Sequence, residues 1–154
     1  MRAKLALDGL LLPDSFGSGQ WYPVWMQIVL TQTIRKVFFE CDTPGFCEML
    51  IHAGRTSASP WMTTMLRFVG PAAVLRRADL LHPHFYDVGA ISSVVTGRAA
   101  ELMCKDAVLF ENPTWRALQL AGQQGLIELT GSKLVSAVGM DAGAGAFRMK
   151  VSWT

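Results

Sequence analysis

Apolar and polar positions recur along this chain with two different periods, and the change of period divides it into halves. Over residues 23–38, Trp25, Ile28, Val29, Val37 and Phe38 recur near helical spacing, while Gln32, Arg35 and Lys36 supply a polar face. That pattern predicts a helix. Pro23 suits its first turn, where the missing N–H has no intrahelical partner to lose. Asp42, Thr43 and Pro44 then offer a side-chain cap followed by a proline. They predict a second short helix through Phe46, Met49, Leu50 and Ile51, stopped at Gly54. Residues 55–60 read as a loop. Over 61–69, Met62, Thr64, Leu66 and Phe68 alternate with Thr63 and Arg67, which predicts a strand. A short helix is expected over 71–81, and a loop or junction over 82–87.

The second half has the period of two. Strands are expected over 90–95 and 99–105, on either side of a turn at Thr96, Gly97 and Arg98. Asn112 and Pro113 start a short helix that Gly122 ends. A strand over 126–129, a turn at 130–132 and a strand over 134–138 follow, then a tight glycine loop over 141–145. The last strand alternates cleanly, with Phe147, Met149, Val151 and Trp153 inward and Arg148, Lys150 and Ser152 outward. Helices mostly first and strands mostly second make the fold class α+β. The expected organisation is an extension over 1–20, a helix–strand lobe over 21–85, and a strand-rich lobe with one short helix over 86–154.

Composition narrows the function. With 154 residues, 51% hydrophobic and 17% charged, the chain is long and apolar enough to bury a core, and intrinsic disorder is excluded. No run approaches 18 uninterrupted apolar residues, so a membrane span is not expected. Lys and Arg number 14 against 12 Asp and Glu, a formal charge of +2. That balance excludes a protein that holds nucleic acid by charge alone. The basic start of the chain, Arg2 and Lys4 before Leu5 to Leu7, is too short an apolar run for a secretory leader. Cys41, Cys47 and Cys104 are odd in number and form no C-x-x-C pair, which argues against a disulfide framework or a zinc site. His82, His84 and Asp87 are the one cluster with metal-ligand chemistry, and no second cluster accompanies them. Neither Cys47-Glu48 nor Cys104-Lys105-Asp106 has an activating histidine beside it, and no phosphate-cradling P-loop or dinucleotide fingerprint is present. The expectation is a protein without catalysis and without a cofactor.

The polar signal lies in the turn Thr130-Gly131-Ser132-Lys133, where two hydroxyls, an approachable backbone and a cation are consecutive. Such groups hydrogen-bond phosphate, ribose 2′-hydroxyls and minor-groove base edges. Gly143, Ala144 and Gly145 would let a backbone pass close to the same surface, and Arg148 and Lys150 would face phosphate. An ordinary solvated hairpin is the competing reading.

The C-terminal third resembles the eighth-protein family of the small ribosomal subunit. That family runs through a proline-led short helix, a glycine, an apolar strand, a Ser-Thr-Ser-Lys-Gly turn, a strand, a glycine-rich loop and a last strand ending in Trp. The matching stretches here are Asn112-Pro113, Gly125 to Leu129, Thr130 to Lys133, Gly143 to Ala146, and Phe147 to Trp153. Upstream, Gly97-Arg98 is similar to the family's basic turn, and Leu30 to Lys36 to its first-helix motif. The resemblance implies a structural constituent of the small ribosomal subunit, a ribonucleoprotein of translation that binds and stabilises rRNA during assembly. It implies RNA contacts at Thr130, Gly131, Ser132, Lys133, Arg98, Arg148 and Lys150, with secondary ones at Arg35 and Lys36. Its partners would be small-subunit rRNA and neighbouring ribosomal proteins, with no membrane and no small-molecule substrate. The apolar, weakly charged composition then points to a ribosome of the mitochondrion. The alternative is a non-RNA scaffold subunit of a large organellar complex.

Overall fold

A computed structural model describes residues 20–40, 42–56 and 58–154, and the expected extension over 1–20 lies almost wholly outside them. Two compact units divide at Phe46/Cys47. In the first, helix α1 (Val24–Phe38) follows Pro23, whose extended backbone turns the chain into the helix. Thr31 and Thr33 are buried in it because their hydroxyls fold back onto the carbonyls of Gln27 and Val29, at 2.7 and 2.9 Å. Arg35 and Lys36 occupy the last turn, where cations meet the negative end of the helix dipole. Helix α2 (Thr43–Thr56) begins where expected, and the division between the units falls within it. Phe39 meets Phe46 edge to face at 5.7 Å.

The second unit opens with a departure from the sequence reading. Residues 61–69, expected as a strand, form the first arm of helix α3 (Pro60–Leu75). The start signal decides it: Ser59 caps the helix by accepting from the Met62 N–H at 3.2 Å, and Pro60 fills the first turn. Thr63 and Thr64 return their hydroxyls to the carbonyls of Ser59 and Pro60, at 3.1 and 3.0 Å. Gly70 then breaks the helix with φ 72° and ψ 168°, a conformation other residues resist, and Pro71 restarts it. Short α4 (Ala78–Leu81) and a 3₁₀ turn (His82–His84) lead to the sheet.

Strands β1 (Ala90–Thr96) and β2 (Ala99–Lys105) form the expected hairpin, with Gly97 at φ 59° in its turn. After a second 3₁₀ turn (Val108–Glu111), Asn112 caps helix α5 (Pro113–Leu129) through the N–H groups of Thr114 and Trp115. This helix does not stop at Gly122. It runs on to Leu129 and absorbs the expected strand over 126–129. The glycine that matters is Gly125, where a Cβ would lie 3.3 Å from the Ile51 carbonyl oxygen and 3.5 Å from the Arg55 nitrogen. It marks close approach of two helix backbones rather than a helix end. Gly131, at φ 85°, provides the stop.

Strands β3 (Leu134–Asp141) and β4 (Phe147–Trp153) complete an antiparallel sheet of order β1-β2-β4-β3. The fold is α+β. Along β4 the inward set Phe147, Met149, Val151 and Trp153 is buried as its alternation predicts. Leu102, Cys104 and Met149 cover the inner face of the sheet, with Phe110, Trp115 and Ile127 among the other fully buried side chains. The junction expected over 82–87 is part of the same body: His82 stacks on Tyr86, and Tyr86 meets Trp115 edge-on at 5.9 Å. Residues 47–154 therefore form one unit, and no boundary falls near residue 85.

Candidate functional site

The same alternation that buries one side of β4 exposes Lys150 and Ser152 on the other. The register sets Glu101 opposite Lys150 and Ser136 opposite Ser152. With Val94, Thr96 and Ala99 these residues line an open groove of about 510 Å3 across the solvent face of the sheet. Glu101 sits between two cations, its carboxylate oxygens 3.3 Å from Arg148 Nε and 3.3 Å from Lys150 Nζ. The Lys150 side chain is 56% exposed, so this pairing contributes at most about 1 kcal/mol and yields to a competing anion. Ser136 and Ser152 share a hydroxyl hydrogen bond of 2.8 Å.

Two further cations stand at one end of the sheet. The Trp153 N–H donates to the Arg98 carbonyl at 3.0 Å, and the Thr154 N–H to the Lys133 carbonyl at 3.0 Å. The end of β4 thus lies between the β1–β2 turn and the loop that enters β3. Both side chains are exposed and unpaired among the described residues. Arg98, Lys133, Arg148 and Lys150 are brought to one sheet, and Ser132 shares the loop of Lys133.

The other expected contacts fare differently. Thr130 is no surface reader: it is 7% exposed, and its hydroxyl donates to the Ile127 carbonyl at 2.6 Å as part of the end of α5. Gly131 serves the helix stop. The turn thus follows a helix, not the strand that the ribosomal resemblance assigned to 126–129. The glycine loop does not share its surface, because it joins β3 to β4 at the opposite end of the sheet. Its backbone is already engaged, Gly145 N–H donating to Glu111 at 2.6 Å and Gly143 N–H to Asp141 at 3.3 Å. That bond, with the Arg116 guanidinium, holds the Asp141 carboxyl below its ordinary range. Arg35 and Lys36 belong to the first unit. There Arg35 donates to Thr43 Oγ1 at 3.0 Å and lies over the Phe46 ring.

Sequence reasoning missed Thr96, Glu101, Ser136 and Ser152. Ser152 was legible from the alternation of β4. The others needed the pairing register. Among the described residues neither histidine nor cysteine lines the groove. Burial pushes the Cys104 thiol up to about 12, which keeps it protonated and inert. His82 is buried with Nε2 2.9 Å from the Val88 carbonyl oxygen, whereas His84 is exposed, so the two do not converge. Among the described residues no group of His, Cys, Asp or Glu could hold a metal ion.

No protein-family model matches the sequence, and no curated protein matches it. Solved structures do match. The Fe(II) unliganded H-NOX protein from K. algicida superposes with a TM-score of 0.60 at 9% identity, over 91% of this chain and 78% of that one. A single-substitution variant of the same H-NOX protein gives 0.63 at 9% identity, over 98% of this chain and 85% of that one. At that identity the likeness is one of fold.

Proposed function

We propose that this chain is a non-catalytic binding domain that receives a phosphate-bearing ligand on the solvent face of its sheet. The observation that carries the reading is a set of available cations on this sheet: Lys150 in the groove, held only by an exposed ion pair with Glu101, and Arg98 and Lys133 unpaired at one end of the sheet. Thr96, Ser136 and Ser152 supply hydroxyls beside them. Cations and hydroxyls together are what phosphate oxygens require. No aromatic side chain lines the groove, so base stacking is not on offer there.

The phosphate can come from two sources. In the form that the ribosomal resemblance implies, it is the backbone of small-subunit rRNA, and the protein stabilises that RNA in a mitochondrial ribosome. In the other form it belongs to a small phosphorylated molecule of a size that fits a 510 Å3 groove. The H-NOX likeness is one of fold and brings no ligand to this chain. The Fe(II) of those proteins does not transfer, because the described residues do not fit it. Their one buried imidazole, His82, is committed through Nε2 to Val88 and through its ring face to Tyr86.

Titration with a small-subunit rRNA fragment, and separately with a nucleotide, tests the reading. Three cations on a single strand predict that log affinity falls with log salt with a slope of magnitude about 2, at about 0.7 per phosphate neutralised. Lys133→Ala should lower the slope by about 0.7. RNA binding that a nucleotide cannot displace assigns the ligand to RNA, and the converse assigns it to the small molecule. Binding of neither, or binding indifferent to Arg98, Lys133 and Lys150, overturns the proposal. If the protein then stays in a large particle after nuclease digestion, it is a non-RNA scaffold subunit.

A further inference from the structure

The first arm of α3 presents a ridge that no described residue covers. Trp61 and Phe68 are 71% and 90% exposed, and Met62, Met65 and Val69 are exposed beside them. At 100° per residue, positions 61, 65, 68 and 69 fall on one side of the helix. The hydroxyls of the arm ask for no partner, since those of Thr63 and Thr64 are spent on the carbonyls one turn back. Along the sequence this stretch is basic, and Asp79 is the first acid after it. From Met49 to Ala78 there is no Asp or Glu, and Arg67, Arg76 and Arg77 are exposed and unpaired among the described residues.

We infer that this arm is a membrane-contact element, lying in the interface of an anionic lipid surface with Trp61, Met65, Phe68 and Val69 inserted. An apolar ridge suits a non-directional apolar medium, and Arg67 on the opposite side of the arm, with Arg76 and Arg77 after the break, suits acidic headgroups. The helix is an in-plane element and not a span, since no described helix is long and apolar enough to cross a membrane. Gly70, at φ 72° and ψ 168°, breaks the helix and sets the arm off from the residues that follow.

Flotation of the full chain with vesicles tests this, using pure phosphatidylcholine against a 7:3 mixture with phosphatidylglycerol. Binding to the anionic vesicles and not to the neutral ones is expected, weakened by 0.5 M salt. Phe68→Asp, at a position too exposed to affect folding, should reduce binding at least ten-fold while leaving phosphate-ligand binding at the sheet unchanged. Arg76→Glu with Arg77→Glu should remove the preference for anionic lipid. Three results would each overturn the inference: no partition into either vesicle, partition that follows Lys133 instead of Phe68, or self-association that Phe68→Asp abolishes.

Discussion

Arg116 is the side chain whose removal the structure predicts most sharply. Its guanidinium donates to the backbone carbonyls of Phe110 and Ala146, the latter at 3.2 Å, and to Asp141 at 3.2 Å. Its flat face lies 5.0 Å from the centre of the Phe147 ring. One residue on α5 therefore ties down the 3₁₀ turn before the helix, the end of β3 and the loop into β4. Each hydrogen bond from a charged donor contributes about 1.5–3 kcal/mol, toward the lower end where water can replace the donor. The side chain is 22% exposed, so the two carbonyl bonds together amount to about 3 kcal/mol. Stacking on Phe147 adds about 0.5–1 kcal/mol. These contacts share one group and do not add fully, so Arg116→Ala should cost about 2–4 kcal/mol. Urea denaturation followed by far-ultraviolet dichroism reads this as a lowered midpoint at unchanged slope. Arg116→Lys should recover less than half, because an ammonium lacks the planar fork that reaches several acceptors at once. Arg148→Ala is the contrast: its side chain and that of Glu101 are 41% and 39% exposed, so the loss of their ion pair should change stability by no more than about 1 kcal/mol. A cost for Arg116→Ala below about 1 kcal/mol, or equal effects at the two arginines, would refute the reasoning.

Other outcomes follow from the same contacts. Asn112→Ala should destabilise by about 1 kcal/mol, since its carboxamide oxygen accepts from two N–H groups at the start of α5, and Asn112→Asp should retain most of the stability. Gly139→Ala would set a Cβ 2.7 Å from Phe147 Cζ and 3.1 Å from Leu120 Cδ1, and should cost about 1–3 kcal/mol by overpacking. Trp153→Ala, at a 6% exposed position, should cost about 3–5 kcal/mol by the same denaturation assay. The Asp141 carboxyl is held below its ordinary value of 3.8 by the Gly143 N–H and then by Arg116. A lowered folded value means that its contribution is present above the unfolded value and disappears as pH falls through the folded one. Wild type and Asp141→Asn should therefore differ in urea midpoint at pH 7 and converge in the acid range below 3.8, and a difference that grows on acidification would refute this.

How much of this was legible in the sequence varied with the element. Where capping chemistry and period agreed, as in α1, the start of α2, the β1–β2 hairpin and β4, local pattern sufficed. A proline or cap at the first turn and a strict period of two each leave one good solution. Residues 61–69 show the limit. Their apolar positions fit a period of two and a helical stripe alike, and only the Ser59-Pro60 start separates the two. The stretch 126–129 failed for another reason: Gly122 looked like a terminator, and nothing local reveals that Gly125 is needed for two helices to approach.

The candidate site divides in the same way. By itself the amino-acid sequence determined the α+β class, the buried face of the last strand and the identity of four cations near the sheet. Side-chain period and residue chemistry are local properties, so they survive without coordinates. Only the tertiary structure decided that Glu101 stands opposite Lys150, that Ser136 meets Ser152, that Thr130 is buried and that the glycine loop lies at the far end of the sheet. Those are facts of strand register and helix length. They are set by how distant segments pack, which no window along the chain contains.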